Sequence, residues 1–147
     1  MIHDVVVQPL TQIADARGKI MHMLRSDSPL FRGFGEVYFS LTNPGAVKAW
    51  RRHRRIVQQL TVPIGTVRFC LHDTRADSAT RGVTQVLEVG EAAYLLIQIP
   101  PGIWYGFQAL GDRHALVANC TDLPYDAGEV ERLDPFDATM PAPWSPG

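Results

Sequence analysis

The sequence has few of the features that mark secreted, membrane or metal-binding proteins. Only two of its 147 residues are cysteine, Cys70 and Cys120, and each lies inside a short apolar run. Two thiols without clustered histidines argue against a disulfide scaffold or a zinc site and fit a reducing, cytoplasmic compartment. No apolar run approaches the roughly 20 residues that a membrane-spanning helix needs, and no signal peptide is predicted at the start of the chain.

The chain also lacks an excess of either charge. It has 14 basic and 15 acidic side chains, for a net charge of −1, and 46% of its residues are hydrophobic. This balance argues against nucleic acid or a membrane surface as a partner and is typical of a globular domain. At this length we predict one domain over residues 1–147, with a barrel to residue 121 and a Pro- and Asp-rich tail over 122–147.

Helical periodicity is never sustained beyond two turns. Short runs bounded by Gly, Pro, Asn and Asp dominate instead, and they predict roughly ten strands. Gly35–Leu41 alternates cleanly, with Val37, Phe39 and Leu41 on one face. The pattern predicts an all-β sandwich or barrel. The turns at Gly65 and at Pro100-Pro101-Gly102, each preceded by a strand, are the layout of a cupin-type double-stranded β-helix, a jelly-roll barrel.

The segment from Val47 to Arg55, after an Asn-Pro-Gly turn, carries more charge than any other part of the chain. Strict strand alternation puts Val47, Ala49, Arg51 and His53 on one face and Lys48, Trp50, Arg52 and Arg54 on the other. If the first face points into a barrel, Arg51 and His53 enter a cavity. Because a buried charge is costly without a partner, the segment predicts a negatively charged ligand.

Four segments occur in order: VKAWRRHRR, PIGTVRFCLHDTRADSATRG, LLIQIPPGIWYGFQAL and NCTDLPYDAGEVERLDPFD. With the earlier Asp15-Ala16-Arg17-Gly18 turn, they resemble the dTDP-4-dehydrorhamnose 3,5-epimerase family of cupins over about residues 15–137. The resemblance implies a metal-free cupin that acts on thymidine-diphosphate keto-sugars. Such enzymes remove a proton beside the sugar ketone and return it on the other face. The resemblance also implies a homodimer with exchanged N-terminal strands.

The family's catalytic residues carry over incompletely. Arg51 occupies the place of the family's base, a histidine, and His53 lies two residues further on. The family's tyrosine aligns with Ala118, and the aspartate that pairs with the base is expected to be missing from this shorter chain. We predict His53 as the acid or base, with a pKa depressed by its arginine neighbours. Arg51 is the predicted stabiliser of an enolate, and Tyr105 is the third predicted catalytic residue, as an acid or as a pocket hydroxyl.

Four residues are candidate substrate contacts. The resemblance gives Arg17 and Lys48 as a diphosphate clamp, a role that suits guanidinium and ammonium groups. Gln58 stands where a metal cupin has its glutamate, and Tyr125 lies in an LPYD segment expected at the pocket mouth. His53 would be the one metal ligand left among the four usual cupin positions, so we predict neither metal nor cofactor.

Other interpretations stay open at this point. His53 is equally well explained as a structural histidine inside the barrel. The chain could be a divergent cupin enzyme (an isomerase, cyclase or dehydratase) acting on a non-nucleotide small molecule, or a ligand-binding cupin without activity. The prediction that we carry forward is an epimerase or isomerase of a nucleotide-linked keto-sugar.

Overall fold

The computed structural model describes residues 1–146, which form two five-stranded antiparallel sheets around one core. The strands are β1 Val6–Pro9, β2 Gln12–Asp15, β3 Gly18–Met21, β4 Glu36–Thr42, β5 Val47–His53, β6 Gln58–Ile64, β7 Thr66–Asp73, β8 Thr84–Gly90, β9 Leu95–Ile99, β10 Ile103–Leu110, β11 Ala115–Thr121 and β12 Val130–Arg132. A 3₁₀ turn, Ala127–Glu129, precedes β12. The all-β prediction is confirmed. Within this part of the chain, no helix has the length and apolar character needed to cross a membrane.

The two sheets define an inside and an outside. The first sheet has the order β1-β9-β6-β11-β4, and the second has the order β12-β5-β10-β7-β8. Their facing side chains fill the core; Phe69 and Phe107, for example, are almost fully buried, with ring centroids 5.3 Å apart. Strands β2 and β3 form a separate hairpin whose residues are largely exposed. The hairpin turn is the predicted Asp15–Gly18 turn, and β2 and β12 are strands that the sequence patterns did not predict.

Strand β5 departs from strict alternation. Arg51 is opposite Tyr105 on β10, whereas Lys48 is opposite Phe107, so three steps on β5 match two on β10. Directly paired residues share a face, so this irregularity turns Lys48 to the same inner face as Arg51 and His53. The prediction that put Lys48 on the opposite face, and Val47 and Ala49 on the inner one, is therefore wrong. Val47 and Ala49 instead pack against the apolar cluster that contains Trp50, on the outer side of the sheet.

The outer face of the second sheet is covered by the C-terminal tail. Trp50, Trp104 and Trp144 are buried there, and the rings of Trp50 and Trp144 lie 5.1 Å apart. Both of their indole N–H groups donate to the carbonyl oxygen of Pro135, at 3.2 and 3.1 Å. Gln108 fixes the end of the tail through two 2.9 Å hydrogen bonds with the backbone of Ser145. The tail thus supplies the apolar cover that Trp50 requires.

Strand β4 has its apolar face outside and uncovered. Val37, Phe39 and Leu41 are 46%, 64% and 63% exposed, whereas Thr42 on the other face is fully buried. β4 is also an edge strand of the first sheet. Alternation predicted the strand correctly, yet its polar residues face inward. Both β4 and β5 therefore present polar side chains to the interior of the barrel.

Candidate active site

A cavity of about 350 Å³ opens at the end of the barrel where β4 and β6 begin and β5 and β11 end. This volume is at the small end of ligand-binding sites. Its wall combines basic, acidic, amide and aromatic side chains: Glu36, Tyr38, Arg51, His53, Ile56, Gln58, Thr121, Tyr125, Val130 and Arg132. The residues come from both sheets and from the C-terminal segment, so the complete barrel is needed to form the cavity.

A buried histidine–carboxylate pair lies in this wall. Nδ1 of His53 contacts Oε1 of Glu129, and the two residues are only 7% and 3% exposed. The other carboxylate oxygen, Oε2, accepts hydrogen bonds from the backbone amides of Arg54, Arg55 and Ile56 at 3.0, 2.9 and 3.3 Å. Nε2 of His53 is buried and has no hydrogen-bond partner within residues 1–146. The pair leaves one imidazole nitrogen to meet a ligand.

The environment favours a neutral histidine beside an ionised glutamate. Burial lowers the pKa of His53, and the positive charges of Arg51 and Arg132 add to that effect, while Glu129 opposes it without reversing it. Burial alone would raise the pKa of Glu129. The hydrogen bonds from His53 and the backbone amides more than offset this, so the pKa of Glu129 lies below its usual value. Nδ1 therefore carries the proton, and Nε2 has the free lone pair of a base.

Glu129 reaches His53 through a short, well-defined turn. The side chain of Asp126 accepts from the backbone amide of Gly128 at 2.9 Å and begins the 3₁₀ turn that ends at Glu129. Strand β12 follows at once and pairs with β5, with Val130 opposite His53. The family's aspartate was expected to be missing from this chain, and the structure places a glutamate of the C-terminal segment, Glu129, beside His53. The acidic C-terminal segment was the available signal, but sequence spacing could not show which of its carboxylates folds back.

Tyr105 and Gln58 lie next to the pair. The Tyr105 ring stacks on His53 with centroids 6.2 Å apart, and its hydroxyl donates to Oε1 of Gln58 at 3.4 Å. Burial raises the pKa of Tyr105, which holds the hydroxyl in its protonated form. Nε2 of Gln58 is buried without a hydrogen-bond partner in the described chain, so it is free to donate to a ligand.

Asn119 on β11 connects the two sides of the cavity. Its Oδ1 accepts from the backbone amide of Gln59 at 3.1 Å, which fixes the orientation of the amide group. Its Nδ2 then donates to Oε1 of Gln58 at 2.6 Å and to the hydroxyl oxygen of Tyr38 at 2.9 Å. The sequence patterns gave no role to Asn119, Tyr38 or Arg132, although the last two line the cavity.

The structure brings together some, not all, of the predicted site residues. Arg51, His53, Gln58 and Tyr125 lie on the cavity wall, and the backbone amide of Tyr125 is held at the mouth by Oε1 of Glu36, at 2.9 Å. Tyr105, described above, lies behind this wall.

The two predicted diphosphate contacts lie elsewhere. Lys48, on the same inner face as Arg51, donates to Oγ of Ser40 at 2.7 Å but does not line the cavity. Its pKa is lowered by burial and by the charge of Arg51. Arg17 is at the tip of the β2–β3 hairpin, 90% exposed and paired with Asp15 at 2.7 Å. Within one chain, then, these two side chains do not form a common clamp.

This arrangement defines a class of protein. Over residues 1–146, no three His, Cys, Asp or Glu side chains are grouped so that they could hold a metal ion. A jelly-roll barrel whose cavity holds a neutral histidine, a buried carboxylate and an arginine is a cupin equipped to move protons.

The chain belongs to the dTDP-4-dehydrorhamnose 3,5-epimerase family, whose profile matches residues 1–147. It is 37% identical over 140 residues (92% of this chain, 89% of the relative) to Agl13 of Haloferax volcanii, named a probable low-salt glycan biosynthesis epimerase. It is 31% identical over 147 residues (99% and 97%) to SpsL of Bacillus subtilis, named a spore coat polysaccharide biosynthesis protein. The crystal structure of a dTDP sugar isomerase from Desulfovibrio desulfuricans G20 superposes with a TM-score of 0.92 and 46% identity, covering 98% of this chain and 91% of that one.

These comparisons confirm three predictions: the family resemblance, the cupin jelly-roll fold, and an enzyme of the epimerase or isomerase type with a sugar-nucleotide substrate. They give no support to the alternative of a non-nucleotide substrate.

Proposed function

We propose that the chain epimerises a thymidine-diphosphate keto-sugar, with Nε2 of His53 as the base that removes the proton beside the carbonyl. The observation that carries this proposal is the buried His53–Glu129 pair, in which Glu129 holds the proton on Nδ1. A neutral imidazole with a free Nε2 in a ligand-sized cavity has the protonation state that a general base needs. A structural histidine would be expected to use both ring nitrogens, and in the described chain this one uses a single nitrogen.

Arg51 would stabilise the enolate that forms when the proton leaves. Its guanidinium stays charged at any pH at which the protein folds, so it cannot serve as the base. A fixed positive charge beside a developing oxyanion acts more strongly in a cavity that excludes water than in bulk solvent. The free Nε2 of Gln58 would add a neutral donor to the same oxygen or to a sugar hydroxyl.

The two curated relatives name the process in which this reaction belongs. One is named for glycan and the other for polysaccharide biosynthesis. We assign the chain a step of the same kind, in which a carbon of an activated sugar is inverted before the sugar is built into a surface polymer.

A homodimer would complete the nucleotide site. The exposed apolar face of β4 and the exposed β2–β3 hairpin are surfaces that a second copy could cover. Arg17 at the hairpin tip would then reach the partner's cavity and, with Lys48, contact the diphosphate. Thymidine diphosphate should raise the melting temperature of the wild type, and Arg17→Glu should abolish the rise. Arg25→Glu is the matched control, because Arg25 is also exposed and paired with a neighbouring aspartate, at 2.7 Å.

The proposed reaction is tested by solvent exchange. The wild type is incubated in D₂O with a dTDP-4-keto-6-deoxyhexose, and deuterium at the carbons beside the ketone is followed by NMR. We expect deuterium incorporation together with an epimerised product. His53→Asn should abolish both while it preserves the thermal shift with thymidine diphosphate. A wild type that exchanges no proton of this sugar would overturn the proposed function.

A further inference from the structure

Gln58 is a buried residue of the cavity wall whose amide hydrogens have no acceptor. The residue is 1% exposed and lines the cavity at the start of β6, and its Nε2 makes no hydrogen bond within residues 1–146. A buried donor without a partner is costly, so such a group in a native fold calls for an explanation. In the wall of a ligand-sized cavity, the explanation is an acceptor on the ligand.

Asn119 determines which end of the Gln58 amide is the free donor. The backbone amide of Gln59 can only donate, so the Asn119 atom that accepts from it at 3.1 Å is Oδ1. The other end of the Asn119 amide is therefore Nδ2, which donates to Oε1 of Gln58 at 2.6 Å. If the Gln58 amide were flipped, two NH₂ groups would face each other at that distance. The β6 backbone thus orients Asn119, and Asn119 orients Gln58 with Nε2 as the free group.

The ligand atom that meets Nε2 of Gln58 lies close to the reacting carbon. Tyr105 contacts both the base and Gln58: its ring stacks on His53 with centroids 6.2 Å apart, and its hydroxyl donates to Oε1 of Gln58 at 3.4 Å. The carbonyl oxygen is carried by the carbon next to the one that loses its proton. A carbonyl oxygen accepts hydrogen bonds and donates none, so the donors Gln58 and Arg51 satisfy it. A hydroxyl in its place would need an acceptor that neither residue supplies.

We propose that Asn119 is a positioning residue that holds the Gln58 amide in its donating orientation, and that Gln58 thereby selects the ketone oxygen of the sugar over a hydroxyl at the same carbon. This assignment rests on the proposed epimerase function and adds the means by which the cavity recognises a keto-sugar. As the proton leaves, the carbonyl oxygen becomes an enolate oxygen, and a donor that is already oriented stabilises it without rearrangement. The flipped amide would place Oε1 against that negative charge.

Asn119→Asp tests the orientation, because it replaces Nδ2 with an oxygen at nearly the same position. One carboxylate oxygen still accepts from the backbone amide of Gln59. The other attracts Nε2 of Gln58, so the Gln58 amide flips and presents Oε1 to the cavity. Binding is measured by calorimetry in the inactive His53→Asn background, with dTDP-4-keto-6-deoxyglucose and with dTDP-6-deoxyglucose, which carries a hydroxyl at that carbon. Asn119→Asp should weaken binding of the ketone about tenfold relative to binding of the alcohol.

Gln58→Met separates the effect of orientation from the effect of the new charge. Methionine is similar to glutamine in length but has no amide, so nothing is left for Asn119 to orient. Gln58→Met should lower the preference for the ketone, and adding Asn119→Asp to it should change the remaining preference by less than about twofold. An equal change in both backgrounds would show that Asn119→Asp acts through its charge, and it would overturn the proposal.

The outcomes also separate this inference from the proposed function. If Asn119→Asp leaves the preference for the ketone unchanged while the wild type epimerises the sugar, the role of Asn119 is wrong and the epimerase function stands. If the wild type exchanges no proton of the sugar in D₂O, the proposed function fails and this inference fails with it. Thermal unfolding and the thymidine-diphosphate shift show whether each variant folds.

A second variant keeps the test available if Asn119→Asp does not fold. Gln58→Glu replaces the donor itself with an oxygen while Asn119 keeps its bond to the backbone. It should lower the preference for the ketone at least as much as Asn119→Asp. A Gln58→Glu protein with the wild-type preference would show that Nε2 of Gln58 does not meet the ketone oxygen, and the proposal would be wrong.

Discussion

Strands β4 and β5 both have apolar residues on their outer faces, but only the outer face of β5 is covered within the chain. Both turn polar side chains into the barrel and leave apolar residues outside, which reverses the usual pattern of a half-buried strand. The outer face of β5 is covered by the chain's own tail through Trp144 and Pro135. The outer face of β4, with Phe39 at its centre, is uncovered in the single chain. When a strand turns its polar side chains toward the cavity, its apolar side chains lie on the outer face. They are then buried only if another segment of the chain, or another molecule, packs on that face.

The largest expected effect is a difference in epimerisation rate between a substitution on the inner face of β5 and one on its outer face. His53→Ala removes the proposed base and should lower the rate of epimerisation by about 10³-fold, within the range for general-base catalysis. Arg52→Ala is the outer-face control; Arg52 lies over Trp104, 4.6 Å from the ring centroid, and pairs with Glu131 at 2.6 Å. It should change the rate by only a few fold. Steady-state kinetics measure both, and equal losses in the two variants would remove the distinction between the faces.

The second prediction concerns the packing of the C-terminal tail on the outer face of β5. Trp50→Ala removes a side chain that is 1% exposed and should lower the free energy of unfolding by about 3–5 kcal/mol. Trp144→Ala should cost less, because Trp144 sits at the edge of the cluster and is 8% exposed. Urea unfolding gives both values. A Trp50→Ala protein of unchanged stability would show that the tail does not act as the cover described above.

The third prediction tests whether a second copy of the chain covers the outer face of β4, by placing a charge on that face. Phe39→Asp places a carboxylate in the middle of the exposed apolar face and should convert a dimer into a monomer with little change in the fold of each protomer. Light scattering after size-exclusion chromatography measures the mass. Phe136→Asp is the control, because Phe136 is 73% exposed but lies in the tail. If the wild type is already monomeric at high concentration, β4 needs another occupant.

The smallest expected effect is a displacement of the pH profile. The pKa of His53 lies below its ordinary value of 6.5, so the neutral base persists below that pH and activity should fall only in more acidic solution. In Glu129→Gln the negative charge that raises the pKa of His53 is lost. The acid limb of kcat/KM should therefore move to still lower pH, with a lower plateau. An acid limb that moves to higher pH in Glu129→Gln would contradict the proposed pairing of Glu129 with His53.

The same shift affects stability, and its sign can be stated. The unfolded state binds a proton at His53 more readily than the folded state, so this contribution to stability is complete above pH 6.5 and decreases as the pH falls below that value. The lowered pKa of Glu129 acts in the same direction, at more acidic pH. Melting temperatures measured from pH 8 to pH 4 should fall less steeply for His53→Asn than for the wild type.

Local patterns predicted much of the fold, because they depend on neighbours in the sequence. The alternation of Gly35–Leu41 was sufficient to predict β4, and turn residues placed most of the other boundaries. The same patterns could not predict the irregularity that turns Lys48 inward, since it arises from the pairing of β5 with β10. They also could not show which face of β4 is outside, because that depends on what the opposing sheet leaves uncovered.

The site was predicted only in part, for a similar reason. Arg51 and His53 lie close together in the sequence and in one strand, so the basic cluster pointed to them. Glu129 is 76 positions from His53 along the chain, and Asn119 is 81 positions from Tyr38. No spacing rule relates residues so far apart. Only the paired strands and the 3₁₀ turn bring these groups within hydrogen-bonding distance.

The Glu129 carboxylate links catalysis to the opening of the cavity. Val130 and Arg132, which follow it directly, line the cavity mouth. The backbone amides that it binds belong to the turn between β5 and β6. Because β12 follows Glu129 directly and pairs with β5, a substitution that loosens this pairing would disturb the His53–Glu129 pair and the cavity wall together. One three-residue strand is thus both a part of the wall and the support that keeps the carboxylate on His53.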